Sequence, residues 1–169
     1  MSGVLIHSAA DRYTARRLAV EAAGMCVAHR GAIHYTQGWR RWDGIRLHKR
    51  AIHGDYPNYA DCSAFVSWCL WTATRKWHLS DFANGANWTA GFTGTLINHG
   101  HPVSTRGPFL LADVALYGWQ QRGVPEHTAL IVHDRGGRPY VVSHGSEAGP
   151  LLVPLHYRGD LVAVRRMIR

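Results

Sequence analysis

Tyr59-Ala60-Asp61-Cys62-Ser63-Ala64-Phe65-Val66-Ser67-Trp68-Cys69-Leu70 is the stretch on which the fold turns. A turn-rich segment containing Gly54, Pro57 and Asn58 runs up to Asp61, and an apolar run then begins. Cys62, Phe65, Val66, Cys69, Leu70 and Ala73 share one helical face, which predicts a mostly buried helix from Cys62 to about Lys76. Asp61 is placed to cap it. The unpaired N–H groups and positive dipole end of a helix stabilise an anion, so a thiol in this first turn is expected to be more acidic than usual, as a nucleophile requires. Taken alone, a buried cysteine is more often a small packing residue; the rest of the chain decides between the two.

Toward the N-terminus, residues 9 to 29 read as an amphipathic helix, with Leu18, Ala19, Ala22, Met25 and Cys26 at three-to-four spacing and Gly31 after its end. Ile33 to Trp42 is aromatic, basic and aperiodic, and reads as the wall of a polar cleft or as a loop whose Trp side chains pack in a small satellite cluster. Residues 45 to 52 suggest a short basic helix. Ser80 to His101, rich in Gly, Asn, Thr and aromatics, reads as a surface excursion near the mouth of a site, with a short helix around 91 to 98.

The period then changes. Runs at 112–119, 127–133, 139–144, 151–154 and 161–167 are rich in Val, Leu, Ile and Tyr and are separated by turn residues such as Gly123-Val124-Pro125 and Arg135-Gly136-Gly137. Helices first and strands afterwards argue for an α+β domain, N-terminal helices packed on an antiparallel sheet. His127, Ala129, Ile131 and His133 share one strand face, and Tyr140, Val142 and His144 share a face of the next. If these strands form a hairpin turning near Gly136, His127 and His144 lie near the same open end. Cysteine catalysis needs a base within reach of sulfur and a third polar group that orients the base; Cys62, His127 and His144 could supply all three.

Residues 1–169 read as a single domain long enough to bury a core, and 46 % apolar with 18 % charged residues excludes a disordered chain. Neither a basic-then-apolar leader nor a run of membrane-spanning length is present, so the chain is expected to stay in the cytoplasm where it is made, without membrane insertion. Three cysteines without C-x-x-C spacing disfavour a disulfide framework or a cysteine zinc site. A zinc hydrolase built on His99, His101, His127, His133 and His144 lacks His-Glu-x-x-His, so no metal or other cofactor is expected. A net charge of +8 suggests an anionic partner. Arg16-Arg17, Arg40-Arg41, Lys49-Arg50 and Arg165-Arg166 are scattered, and no nucleic-acid-reading signature accompanies them, so nucleic acid is not the expected partner. A non-catalytic module that binds wall polymer or nucleic acid is the alternative of another class.

The Tyr59-to-Val66 segment resembles the nucleophile segment of NlpC-type cell-wall peptidases and the related CHAP amidases, a papain-like superfamily. His127-Thr128-Ala129-Leu130-Ile131-Val132 resembles their base-bearing strand, and Tyr140-Val141-Val142-Ser143-His144-Gly145-Ser146-Glu147 the strand carrying the third residue. Leu111 to Tyr117 is similar to the strand before the base. More narrowly, His34-Tyr35-Thr36-Gln37, Gly85-Ala86-Asn87-Trp88, Asn98-His99-Gly100 and Ser143 to Pro150 resemble the peptidase domain of endolysins from phages of actinobacteria.

The resemblance implies hydrolysis of an amide bond in the peptide part of bacterial peptidoglycan, in the stem peptide or its cross-link, or, as an amidase, between stem and muramic acid. Cys62 would be the nucleophile, His127 the base and His144 its orienter, with Glu147 as the alternative orienter. Asp61 and Tyr59 would support the site or the oxyanion, and Tyr35, Gln37, Trp42 and Trp88 would contact substrate. It also implies a phage lysin that reaches the wall from the host cytoplasm, with a wall-binding domain or protein as a further partner.

Overall fold

The computed structural model describes Ile6, residues 8–145 and residues 149–169. Helix α1 (Ala9–Ala28) starts at Ser8, whose hydroxyl accepts the Asp11 N–H. It turns Ala15, Ala19, Ala22, Ala23 and Cys26 inward, toward α3 (Cys62–Thr74). Apart from Thr72, all of α3 is buried, as expected of a helix apolar on every side.

Six antiparallel strands follow: β3 (His101–Val103), β4 (Val114–Gln121), β5 (Val124–His133), β6 (Pro139–Ser143), β7 (Leu151–Pro154) and β8 (Leu161–Arg166). Their spatial order is β3-β8-β4-β5-β6-β7. Alternation sorts the side chains into two layers. Val114, Leu116, Leu130, Val132 and Val142 pack with the helices. Ala115, Tyr117, Ala129, Ile131 and Val141 pack on the other face with Leu155 and Val164. A fully buried carboxylate ties the layers together: Asp113 accepts from Nε and Nη2 of Arg166 at 2.9 and 2.8 Å and lies 3.6 Å from Arg16 of α1. Uncompensated charge at such depth would be costly, so the two arginines are what make it tenable.

The expected α+β architecture is therefore present, with differences in detail. The helix expected over 45–52 is shorter: α2 (Asp43–Arg46) ends before His48, which is left-handed at φ 54°, and a 3-10 turn occupies Ala51–His53. Gly44 in α2 is a point of close approach, since a Cβ there would lie 2.7 Å from Pro57 Cβ and 2.9 Å from Trp68 Cδ1. The β4–β5 hairpin is tighter than Gly123-Val124-Pro125 suggested, and Val124 and Pro125 already belong to β5. Two short strands, β1 (His34–Tyr35) and β2 (Tyr59–Ala60), form a parallel pair that lays the 33–36 segment beside the entrance to α3. They are too short to carry a periodic signal. Helix α4 (Thr93–Leu96) lies within the expected 91–98 window. Among the described residues, no helix is long and apolar enough to cross a membrane.

Candidate active site

Asp61 is the N-cap of α3. Its Oδ1 accepts the Ala64 N–H at 2.7 Å and the Ser63 hydroxyl at 2.9 Å, while its Oδ2 takes Arg41 Nη1 at 2.7 Å. This double engagement fixes the first turn and with it Cys62, which is 7 % exposed. Three backbone N–H groups act on the sulfur, those of Cys62, Ser63 and Thr128, and each favours the thiolate. Burial outweighs them, and the Asp61 charge adds to it, so the thiol is pushed up to about 12. This corrects the expectation of a more acidic thiol. The helix end does contribute, but a sulfur so deeply buried beside a carboxylate stays protonated at neutral pH.

The Thr128 contact locates the sulfur relative to the sheet. Along β5, Ile131 N–H donates to Asp113 O on the β4 side, and Asp134 N–H donates to Arg138 O on the β6 side. Amide direction alternates along a strand, so Thr128 N–H faces β6. But β6 ends at Ser143, which pairs with Ala129, one residue short of Thr128. Beyond that end, the Thr128 N–H acts on the Cys62 sulfur and favours its thiolate, and Thr128 directly follows His127 in the chain.

The same register places the third residue. Because Ala129 pairs with Ser143, His127 shares its face with Ser143, and His127 Nε2 lies 2.8 Å from Ser143 Oγ. Ser143 Oγ is in turn 3.1 Å from the Tyr157 hydroxyl. His144 faces the helix side: fully buried, its Nε2 is 3.1 Å from Ala60 O and its ring lies edge-on to Phe65 and Tyr35. The strand-phase argument for His144 as orienter is thus corrected by register, and the position beside His127 belongs to Ser143. Glu147 lies outside the described residues.

The other expected contacts divide. Tyr35 and Gln37 stay near the site: Gln37 Nε2 donates to Tyr35 OH at 3.2 Å, and Tyr35 pairs with Ala60. Trp42 and Trp88 are corrected to core residues, 4 % and 8 % exposed. Trp88 packs edge-on against Phe82 and donates its indole N–H to Leu79 O. Tyr59 lies beneath the Arg40 guanidinium, 3.8 Å from ring centre to Cζ, and beside His34.

Further aromatics, among them Trp39 from the expected 33–42 cleft wall, stand on elements joined to the site. Exposed Trp39 is two residues from Arg41, and exposed Phe92 follows Gly91, whose carbonyl accepts from Arg41. Exposed Trp119 pairs with Pro125, two residues before His127, and Tyr157 adjoins Ser143. Exposure of large aromatics is the signal that separates these from the packed ones, and composition does not carry it. The described residues hold no cluster of three or more His, Cys, Asp or Glu side chains able to hold a metal ion.

No family model matches the chain, and no curated protein matches it. Solved structures do. The peptidoglycan hydrolase RipB from Mycobacterium tuberculosis superposes with a TM-score of 0.61 at 16 % identity, over 100 % of this chain and 74 % of that one. The P60 domain of a Mycobacterium avium subspecies paratuberculosis antigen gives a TM-score of 0.55 at 15 % identity, over 92 % of this chain and 96 % of that one. The chain has the NlpC/P60 fold, mixed helix and antiparallel sheet.

Proposed function

We propose that this protein is a thiol hydrolase acting on peptide bonds of bacterial peptidoglycan. One observation carries the reading most: in an NlpC/P60 fold, a cysteine in the first turn of the central helix is acted on by the Thr128 N–H, at the point where the histidine-bearing strand outruns its neighbour. That relates the sulfur to the backbone that directly follows His127, with the amides of the helix start acting on it as well.

In the reaction, His127 Nδ1 takes the proton of Cys62 Sγ as sulfur attacks the amide carbonyl carbon. The C–S bond forms, the oxyanion is held by backbone N–H groups at the start of α3, and the C–N bond breaks as His127 returns the proton to the leaving amine. Water then attacks the thioester while His127 accepts its proton, and sulfur leaves. Ser143 holds His127 Nε2 throughout. Exposed Trp39, Phe92, Trp119 and Tyr157 suit the apolar faces of sugar rings, and the +8 charge suits an anionic wall.

Resemblance of the 34–37, 85–88 and 143–150 segments to actinobacterial phage endolysins supports an endopeptidase used in host lysis, reaching the wall from the host cytoplasm and joined or assisted by a separate wall-binding domain. The deciding experiment is mass spectrometry of fragments released from diaminopimelate-type peptidoglycan, with Cys62→Ala and chelator-treated samples alongside. New termini that vanish with Cys62→Ala and persist with chelator support the mechanism, and their masses separate endopeptidase from amidase. Release that ignores Cys62 would overturn it.

A further inference from the structure

His127 is held by a hydroxyl, and that hydroxyl is held by another. Ser143 Oγ sits 2.8 Å from His127 Nε2 and 3.1 Å from the Tyr157 hydroxyl, so the imidazole, the serine and the phenol form one chain of hydrogen bonds. Tyr157 is itself clamped. Its N–H donates to Pro154 O at 3.0 Å in the turn after β7, and its ring meets Tyr117 edge-on at 5.6 Å. Tyr117, fully buried, is anchored by donating its own hydroxyl to Leu155 O at 2.8 Å. Tyr157 is 40 % exposed, so burial alone does not account for where its hydroxyl points.

We propose that Tyr157 is a positioning residue for His127, acting through Ser143. This rests on the cysteine hydrolase reading of the same site. A serine hydroxyl alone is a free rotor able to donate to or accept from an imidazole, and so fixes no tautomer. With Tyr157 as acceptor, the Ser143 proton points away from His127 and the Oγ lone pairs face it. His127 then carries its proton on Nε2 and offers Nδ1 as base. A two-hydroxyl relay thereby does what a single amide or carboxylate does when it orients a catalytic histidine.

Other groups also face His127. The Tyr117 ring is 6.1 Å away on β4, and Asp160 interacts with it electrostatically from the segment before β8. Both Asp160 and Glu126 are engaged by Arg158 at 2.7 Å. These carboxylates stay in place when only the phenol oxygen is removed, which makes Tyr157→Phe a clean probe.

The experiment follows Cys62 alkylation by iodoacetamide from pH 5 to 9, read by peptide mass spectrometry, with fully buried Cys26 and Cys69 as internal controls. In Tyr157→Phe, alkylation over this range is expected to fall about 3- to 10-fold, with the profile displaced to higher pH, as for the loss of the one hydrogen bond that turns the Ser143 lone pairs toward the imidazolium. The rate of peptidoglycan cleavage should fall by a similar factor in kcat with KM unchanged. Adding Ser143→Asn to Tyr157→Phe should restore both, because an amide oxygen accepts from Nε2 without help.

A Tyr157→Phe profile that coincides with wild type overturns the proposal. So does a displacement produced by Glu147→Gln and not by Tyr157→Phe. Alkylation needs no substrate, so a displaced profile in a protein that releases nothing from peptidoglycan would uphold the relay and sink the substrate assignment. Cys62-dependent cleavage with an unmoved profile would do the reverse.

Discussion

Replacing Asp61 separates two effects that the native side chain combines, holding the helix start together and keeping the neighbouring thiol protonated. Asp61→Ala removes the cap on Ala64 N–H, worth about 1–2 kcal/mol. It also leaves Arg41, whose side chain is 23 % exposed, without its carboxylate, at about another 1–2 kcal/mol. Together these amount to about 2–4 kcal/mol, which for a chain of this length lowers Tm by about 5–15 °C. Asp61→Asn keeps an oxygen for Ala64 and Ser63 and should lose about half as much. Both variants remove the negative charge beside the sulfur and leave Arg41 in place, so Cys62 should become more acidic. Loss of about 1 kcal/mol of repulsion, the order expected of a well-screened neighbouring carboxylate, raises the alkylation rate at pH 7–8 about fivefold. The informative variant is Asp61→Asn, less stable yet more reactive, with Tm from thermal denaturation and rate from iodoacetamide labelling of Cys62. If Asp61→Asn labels no faster than wild type at any pH, the carboxylate's field does not control the thiol and the reasoning is refuted.

Buried thiols should also make the fold sensitive to alkali. Cys26, Cys62, Cys69 and Tyr117 are all raised by burial, so each is neutral in the fold but ionises in the unfolded chain. Their contribution is complete below about pH 8 and declines as pH climbs above the unfolded thiol value, by about 1.4 kcal/mol per pH unit for each thiol; urea midpoints at pH 8 and 10 test this, and equal midpoints would contradict it. Asp81 accepts N–H groups of Ala83, Asn84, Ala86 and Trp88, so Asp81→Ala should cost about 3–5 kcal/mol and speed hydrogen exchange at those amides, with Asp81→Asn intermediate. Gly149 has φ 81°, and a Cβ there would run into the Arg30 carbonyl. Gly149→Val should therefore lower the urea midpoint by an amount equivalent to at least about 2 kcal/mol, and an unchanged midpoint would show that the 149–150 turn relaxes freely.

Much of the architecture was legible because it rests on long periodic segments. Helix α1 and the Cys62 helix each repeat an apolar face over several turns, and β4 to β8 alternate or run apolar between turn residues. What escaped was short or set by tertiary contact. β1 and β2 have two residues each and exist because Thr36 N–H donates to Ala60 O and His34 N–H to Asn58 O across a loop of more than twenty residues. Trp42 and Trp88 lie in aperiodic, polar segments, where sequence pattern does not separate an exposed aromatic from a packed one. In fact Trp88 is drawn inward by the loop that Asp81 gathers around its carboxylate. Such a loop becomes a core element through hydrogen bonds that composition does not encode.

The third position of the site turns on a subtler quantity, the parity of a hairpin. His133 pairs with Pro139, and Asp134 gathers the intervening turn by accepting the Gly136 and Arg138 N–H groups. That turn sets odd-numbered residues of β5 opposite odd-numbered residues of β6, and His127 therefore shares a face with Ser143. Had the turn been one residue longer or shorter, His144 would have stood there instead. Sequence alternation names which residues of one strand lie together but not which of them face a given residue on the next. The information was present in Asp134, whose side chain fixes the length of the turn, and the two neighbouring polar residues then take opposite tasks. Ser143 touches His127, while His144, on the helix face, meets the carbonyl of Ala60 just before α3 begins. Each strand-end position thus secures one member of the candidate pair, the histidine by a hydroxyl and the approach to the cysteine by a ring.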